Sequence, residues 1–360
     1  MTEYSTPKSA AIAGINKTMT KQDSDLSITA HSPKNASLQA NTATDKADLR
    51  IRLASPRGFC AGVSRAIEAV EDALAQHGAP VYVRHEIVHN AHVVDRLRAM
   101  GAVFVDDLTD APNDRPIVLS AHGAPKSVYK EVTNRGLAMV DATCPLVLKV
   151  HNEARRQAAD GRHIILIGHA HHPEVIGTLG QAPEGSVSLI ETVEDARSKN
   201  LPSGPYAYVT QTTLSVDDTA DIVAALTERF PDIVGPRTAD ICYATSNRQA
   251  AVKAIANGCD AVLVIGDPTS SNSNRLVETA LSAGAKSATL VNDPKEFDLQ
   301  NLENAQVIGV TAGASAPEEL VETLLERFAA SRSIAIDHVC VAEEDVVFKA
   351  PTRPASSPHS

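Results

Sequence analysis

The sequence predicts an α/β fold of three pseudo-repeated units, each with a small parallel sheet, arranged as a trefoil around one centre. Two observations lead to this prediction. Short apolar runs alternate with segments of helical periodicity, as in parallel strands joined by helices. The same order of elements also recurs three times, each time from a cysteine between a strand and a helix. Loops at the carboxyl ends of the strands should therefore face one central cavity.

The composition limits the classes of function. The chain has 360 residues, 43% of them apolar, which is enough for a sizeable core and two or three domains. A net charge of −11 argues against a general nucleic-acid surface, and 3% aromatic residues without Trp argues against base stacking. The five cysteines include no CxxC pair, which fits a reducing, cytoplasmic location. No apolar run approaches the length of a membrane span.

The first repeat is centred on PRGFCAG at residues 56–62. Cys60 lies between the apolar run 51–54 and a helical segment beginning near Val63. The start of a helix and the neighbouring Arg57 are both expected to favour a charged thiolate. Cys144 and Cys242 occupy the same step of the second and third repeats.

Polar loops recur about 28–30 residues and about 62–73 residues after each of these cysteines. Among them, SSNSNR at residues 270–275 offers hydroxyl, amide and N–H groups at a helix start, as a diphosphate requires. These loops hold His89, His122, His169, His171, His172, Glu174, Thr212, Ser270, Ser271, Asn272 and Ser315.

The repeats also suggest the division of the chain. Residues 1–48 lack periodicity and are predicted to be a disordered N-terminal extension. The three α/β units are placed at 49–144, 145–241 and 242–330, and residues 331–360 are assigned to a C-terminal tail. Strand 51–54 is expected either to open the first unit or to close the third, where a strand at 333–336 competes for the same position. Cys340 is therefore not expected to be a ligand, and Cys259 is expected in the core.

The residues alone leave several chemistries open. Three converging thiolates without disulfide pairing suit an iron–sulfur cluster, zinc is a second possibility, and three buried small hydrophobic residues a third. The stretch HAHHPE at residues 169–174 is dense enough in ligands to form a metal site of its own. A non-catalytic iron–sulfur carrier or sensor, or a zinc-dependent hydrolase centred on His169 to Glu174, are therefore the alternatives to an iron–sulfur enzyme.

Long motifs carry a resemblance to a known family. They are PRGFCAGV, VRHEIVHN, SAHGAP, DATCPLV, GHAHHPEV, TQTTLSVDD, DICYATSNRQ, SSNSNR and VTAGASAP. In these motifs the chain closely resembles the 4-hydroxy-3-methylbut-2-enyl diphosphate reductases (IspH or LytB), over about residues 49–351. The resemblance implies the last step of the methylerythritol phosphate route to isoprenoids.

It further implies a [4Fe–4S] cluster held by Cys60, Cys144 and Cys242, with one iron lacking a protein thiolate. That iron would bind the allylic hydroxyl of the substrate as a Lewis acid. Two electrons and two protons would then remove the oxygen as water, giving isopentenyl and dimethylallyl diphosphates. The implied electron donor is a reduced flavodoxin or ferredoxin.

The remaining site residues are also implied by the resemblance. Glu174 would belong to the proton relay, with Thr212 close to the substrate hydroxyl. The diphosphate pocket would comprise His89, His122, His172, Thr212, Ser270, Ser271, Asn272 and Ser315.

Overall fold

Three parallel β-sheets organise the computed structural model, which describes residues 48–351. The predicted N-terminal extension, residues 1–48, lies outside the described residues except for Asp48. Small parallel sheets are what the alternation of apolar runs and helical segments predicted, and the α/β fold is confirmed.

The first sheet has four strands. The described chain begins with strand β1 (Leu49–Ser55), which belongs to the third sheet. The four strands of the first sheet are β2 (Val81–Arg84), β3 (Ala102–Val105), β4 (Ile117–Leu119) and β5 (Met139–Asp141). This part of the chain also forms helices α1 (Ala61–His77), α2 (Ala91–Ala99) and α3 (Lys126–Arg135) and a 3-10 helix at Leu108–Asp110. Strands β2 to β5 pair in the order β3-β2-β4-β5, all parallel.

The second sheet has three strands. It contains β6 (His163–Ile167), β7 (Val187–Ile190) and β8 (Tyr206–Thr210), with helices α4 (Pro145–Ala159), α5 (Pro173–Leu179), α6 (Val193–Ser198) and α7 (Val216–Arg229). The strand order is β7-β6-β8, again parallel.

The third sheet has five strands and includes the first and the last strand of the described chain. Its own segment supplies β9 (Ala261–Ile265), β10 (Ala288–Val291), β11 (Val307–Ala312) and β12 (Ile334–Cys340), with helices α8 (Tyr243–Ala256), α9 (Ser271–Ser282) and α10 (Glu318–Ser331) and a 3-10 helix at Leu299–Leu302. The order is β10-β9-β11-β1-β12.

The place of β12 corrects two sequence predictions. Strand β1 lies between β11 and β12, so that Ile51 is opposite both Ile308 and Ile336. The two strands expected to compete for one position are therefore neighbours in one sheet. The assignment to a tail is wrong for residues 334–340, because β12 pairs with β1 at seven positions.

Burial of β9 shows how the core supports the loops at the sheet edge. All five of its side chains are buried, because helices cover both faces of the parallel sheet. Val262 and Val264 pack in one cluster with residues of α8 and α9, while Leu263 and Ile265 pack in another with residues of α10. Each such side chain contributes about 1.5–3 kcal/mol to folding. The loop that follows β9 thus starts from a rigid strand.

Within residues 48–351, no helix combines the length and the apolar character needed to cross a bilayer.

Candidate active site

The three repeated cysteines occupy equivalent positions in the structure. Cys60, Cys144 and Cys242 are the N-caps of α1, α4 and α8. Their backbone N–H groups donate to carbonyls in the loops that follow β11, β4 and β8, those of Ala314 (3.3 Å), Ala121 (3.0 Å) and Thr212 (3.0 Å). Each cysteine turn is therefore held by the end of a strand, with the thiol at the start of a helix.

Gly62 shows how closely two of the thiols approach. A Cβ placed on this glycine would lie 2.7 Å from Cys144 Sγ and 3.8 Å from Cys60 Sγ. Only a residue without a side chain leaves room for both sulfurs at this point of α1. All five cysteines of the chain lie within the described residues and are free thiols.

Burial opposes the thiolate form at two of the three cysteines. Burial, followed by repulsion from Cys60, raises the pKa of Cys144 to about 12, and the same two effects raise the pKa of Cys242 to about 11. Arg57 is not a partner of the Cys60 sulfur, because its guanidinium donates to the Glu318 carboxylate and to the carbonyl of Ala54. Burial therefore favours the protonated form of Cys144 and Cys242.

Three histidines meet beside the thiols. The rings of His89 and His122 stack with centroids 4.1 Å apart, and the His172 ring stands 5.4 Å and 5.8 Å from them in edge contacts. Neither ring nitrogen of His89 has a hydrogen-bond partner among the described residues, although the Glu86 carboxylate is 3.5 Å from Nδ1. Buried polar atoms without a partner indicate a ligand of complementary chemistry.

Burial disfavours the charged form of two of these imidazoles, His122 and His172. Burial, and then repulsion from His89, lowers the pKa of His172 to about 3, and the same causes lower the pKa of His122 well below its ordinary value. The backbone N–H of Glu174 donates to His172 Nδ1 at 3.2 Å. Since Nδ1 is the acceptor, the neutral ring carries its proton on Nε2 and can donate it to a ligand.

The start of α9 forms another wall. Ser270 is its N-cap and accepts from the backbone N–H and the hydroxyl of Ser273. Asn272 is buried, and neither its amide oxygen nor its amide nitrogen has a partner within residues 48–351. The Ser315 hydroxyl donates to the carbonyl of His89 at 2.8 Å. A helix start with unpaired amide groups favours an anion.

Glu174 brings a carboxyl group to the same cavity. Its side chain is buried, and its two oxygens accept from the backbone N–H of Thr212 at 2.6 Å and from the Thr212 hydroxyl at 2.9 Å. Burial raises the pKa of Glu174 to about 7, against the opposing effect of the two Thr212 bonds. A carboxyl group with this pKa can both donate and accept a proton near neutral pH.

All twelve residues predicted for the site line one cavity. They are Cys60, His89, His122, Cys144, His172, Glu174, Thr212, Cys242, Ser270, Ser271, Asn272 and Ser315. The remaining lining is largely apolar and includes Val63, Val88, Leu146 and Val147. Of the other cysteines, Cys259 is buried in the core as predicted, and Cys340 is exposed at the end of β12.

Sequence reasoning missed two residues that support this cavity. Thr245 contacts Cys242 Sγ through its hydroxyl at 3.2 Å, and its backbone N–H donates to the same sulfur. The sequence did offer a signal for Thr245, because it stands three positions after Cys242, where the backbone N–H of a helix bonds to the N-cap side chain. Gln211 is buried and connects the loop at His169 to Ser271 through its side-chain amide. It lies within the motif TQTTLSVDD, but its type gave no sign of this connecting position.

The stretch HAHHPE does not converge on one point. His172 and Glu174 line the central cavity, whereas His169 and His171 line only an adjoining surface pocket, which contains Arg275 and shares the His172 wall. Within residues 48–351, no three His, Cys, Asp or Glu side chains are grouped as the ligands of a single metal ion. The stretch therefore brings two of its four candidate ligands, His172 and Glu174, to the central cavity and leaves His169 and His171 outside it.

Comparison with known proteins identifies the family. The model that describes the LytB protein family matches residues 51–329. A 4-hydroxy-3-methylbut-2-enyl diphosphate reductase of Hyphomonas neptunium is 59% identical over 309 residues, covering 86% of this chain and 98% of the relative. The corresponding reductase of Paracoccus denitrificans is 58% identical over 307 residues, covering 85% and 97%.

Solved structures agree with these sequence matches. The structure of the E-1-hydroxy-2-methyl-but-2-enyl-4-diphosphate reductase from Plasmodium falciparum superimposes with a TM-score of 0.81 at 38% identity, covering 85% of this chain and 96% of that one. A second reductase, described as the terminal enzyme of the non-mevalonate pathway, gives a TM-score of 0.56 at 28% identity, covering 78% and 99%.

A cavity beside the carboxyl ends of parallel strands, lined by thiol, imidazole and carboxyl groups among apolar side chains, is typical of an α/β enzyme. The match to the family model covers most of the chain. The protein is an enzyme of the LytB family.

Proposed function

We propose that this protein is a 4-hydroxy-3-methylbut-2-enyl diphosphate reductase of isoprenoid biosynthesis. It takes two electrons and two protons, cleaves the allylic C–O bond, releases the oxygen as water, and yields isopentenyl and dimethylallyl diphosphates. The observation that carries the proposal is the single cavity in which three thiols, three imidazoles, one buried carboxyl group and a helix start meet. The names of the relatives supply the substrate class.

Cys60, Cys144 and Cys242 are proposed to hold a [4Fe–4S] cluster. The three free thiols and the space left by Gly62 fit such a group, and thiolate ligands are the usual ones for it. The high pKa values of Cys144 and Cys242 mean that protons leave when iron binds. When bound, the cluster supplies electrons and a Lewis-acidic iron without a protein thiolate.

The imidazoles and the start of α9 are proposed to bind the diphosphate. His172 offers Nε2–H, and Asn272 offers an unpaired amide, both inside the cavity. His89, His122, Ser270, Ser271 and Ser315 complete this polar wall. Hydroxyl, amide and imidazole donors can hold an anion without a dense group of lysines. Contact with the anion also favours protonation of the histidines.

Glu174 is proposed to deliver the proton that leaves with the hydroxyl oxygen. The carboxyl group is held by both polar groups of Thr212, which fixes its direction. The Thr212 carbonyl also accepts from the backbone of Cys242, so the proton donor and one cluster ligand are joined by a single residue. Apolar side chains such as Val88 and Leu146 would surround the five-carbon chain and exclude water.

An external protein must supply the electrons. We propose a reduced flavodoxin or ferredoxin as donor, and the cytoplasm as the location. Free thiols throughout the described chain suit a reducing compartment.

Turnover of the named substrate tests the proposal. Protein purified and reconstituted without oxygen is mixed with 4-hydroxy-3-methylbut-2-enyl diphosphate and a chemically reduced dye, and the products are separated by mass. We expect dye oxidation together with both five-carbon diphosphates. A protein with full iron content that exchanges electrons with the dye but leaves the substrate intact would instead be an iron–sulfur carrier.

A further inference from the structure

A single buried arginine connects two of the three cysteine turns. The Arg248 side chain is 0% exposed and lies on α8, whose N-cap is Cys242. Its guanidinium donates to the carbonyl of Gly58 at 2.8 and 3.1 Å and to that of Phe59 at 3.3 Å, the two residues that precede Cys60. A further bond reaches the carbonyl of Ala244 in the first turn of α8.

The charge of Arg248 is balanced from outside both turns. Glu344 Oε1 accepts from Arg248 Nη1 at 3.0 Å, and its other oxygen accepts from Nη1 and Nη2 at 3.3 Å. The Asn247 amide donates to the same carboxylate at 3.1 Å. Glu344 belongs to residues 341–349, which follow β12 and contain no helix or strand. We call residues 341–349 the closing segment.

A second arginine connects the closing segment to the remaining cysteine turn, that of Cys144. Arg65, on α1, donates from Nε to the carbonyl of Lys349 at 2.7 Å and from Nη1 to the carbonyl of Thr143 at 3.0 Å. Thr143 directly precedes Cys144. The closing segment is thus bonded, through two arginines, to the backbone beside all three cysteines.

From these contacts we infer that Arg248 and Glu344 are positioning residues for the cluster ligands, and that the closing segment keeps the three cysteine turns at the spacing the cluster needs. The inference rests on the proposed cluster. A carbonyl group that accepts from a fixed guanidinium cannot rotate, so the residue after it has a defined direction. Groups that orient metal ligands in this way change metal affinity by about 10–100-fold when they are removed.

The charge balance explains why Glu344 is part of this arrangement. A fully buried guanidinium without a counter-ion carries a large desolvation cost, and removal of one partner leaves the other charge uncompensated. Loss of Glu344 would favour movement of Arg248 toward water. The carbonyls of Gly58 and Phe59 would then lose their donor, and the Cys60 turn would be free to shift relative to Cys242.

Iron release measures this role separately from catalysis. Reconstituted, oxygen-free protein is mixed with a ferrous chelator, and the first-order release of iron is followed by absorbance for the wild type and for Glu344→Ala. Each protein is measured at the same interval below its own melting temperature, so that differences in global stability are removed. We expect release about 10–100-fold faster in Glu344→Ala.

The chain offers a matched control. Arg332 also donates to three backbone carbonyls, those of Leu302, Glu303 and Ala305, but these lie far along the chain from any cysteine turn. Arg332→Ala is expected to lower the melting temperature and to leave the normalised release rate unchanged. Glu344→Gln keeps a hydrogen-bond acceptor for Arg248 and is expected to release iron more slowly than Glu344→Ala.

A normalised release rate of Glu344→Ala equal to that of Arg332→Ala would overturn the inference. If Glu344→Ala does not fold, Asn247→Ala, which removes the second donor to the Glu344 carboxylate, is compared with Arg332→Ala, and an equal normalised rate again counts against the inference. A wild type that binds no iron would instead contradict the proposed function, which separates the two failures.

Discussion

Glu174 combines a buried carboxyl group with two short hydrogen bonds from one residue. The bonds from Thr212 stabilise the carboxylate, whereas burial favours the neutral acid, and burial dominates because the pKa is raised to about 7. The group is therefore partly protonated at neutral pH and is oriented before substrate arrives. Both properties are those of an effective proton donor.

We predict that Glu174→Gln retains the cluster and lowers turnover by roughly 10²–10⁴-fold, the usual contribution of a positioned acid–base group. Glutamine keeps the shape of the side chain but has no proton to transfer. Iron content and the rate of reduction are measured on the same preparation. Glu191→Gln, a half-exposed carboxylate near the same loop, is the control and should keep full turnover. Loss of iron in Glu174→Gln would show that this carboxylate binds metal.

The pH dependence of kcat/KM gives a second test at this residue. Since the protonated form of Glu174 is the donor, kcat/KM should fall as the pH rises through about 7. Below that pH the carboxyl group stays protonated, so Glu174 causes no loss there. The alkaline decrease should be absent from the residual activity of Glu174→Gln. A decrease of the same size in the variant would assign it to another group.

At the level of elements, Asp260 connects the starts of two neighbouring strands. It precedes β9, and its Oδ2 accepts from the backbone N–H groups of Gln306 and Val307 at 2.8 and 3.0 Å. Lys286 donates to its other oxygen at 2.6 Å. Lys286 and the two backbone donors lower the pKa of Asp260 to about 2. The carboxylate holds β11 beside β9, and the loops after both strands enter the cavity.

We predict that Asp260→Ala lowers the free energy of unfolding by about 1–3 kcal/mol, since two backbone donors lose their acceptor. Lys286→Met, which removes only the exposed ion pair, should cost at most about 1 kcal/mol. Urea unfolding of cluster-free protein measures both. Because the folded pKa is depressed, the Asp260 contribution is present above pH 3.8 and is lost as the pH falls toward about 2. Equal losses in the two variants would contradict the role of the backbone bonds.

The elements also show where sequence reasoning succeeds. The cysteine turns could be predicted because each is defined locally, by an apolar run, a cysteine and a helical period. The position of β12 could not, since pairing between β1 and β12 joins residues almost 300 positions apart along the chain. The exposed Asp337 and His338 also interrupt the apolar pattern of this edge strand.

For the whole molecule, the repeat was enough to predict that distant loops share one cavity. Residues as far apart as Cys60 and Ser315 line it, as the equivalent positions in the three repeats indicated. The pairing of Arg248 with Glu344 had no such signal. A charged pair 96 residues apart has no periodic pattern, and an arginine in the first turns of a helix predicts exposure, not complete burial.

The five cysteines give the most direct test of the central claim, that three of them hold a cluster at which the substrate is reduced. Each is replaced by Ser, and iron, sulfide and turnover are measured on folded, oxygen-free protein. The wild type should contain about four iron atoms per chain. Cys60→Ser, Cys144→Ser and Cys242→Ser should each lose most of the iron and the activity, while Cys259→Ser and Cys340→Ser should keep both. Full iron and turnover in any of the first three variants, or loss of iron in Cys340→Ser, would contradict the account.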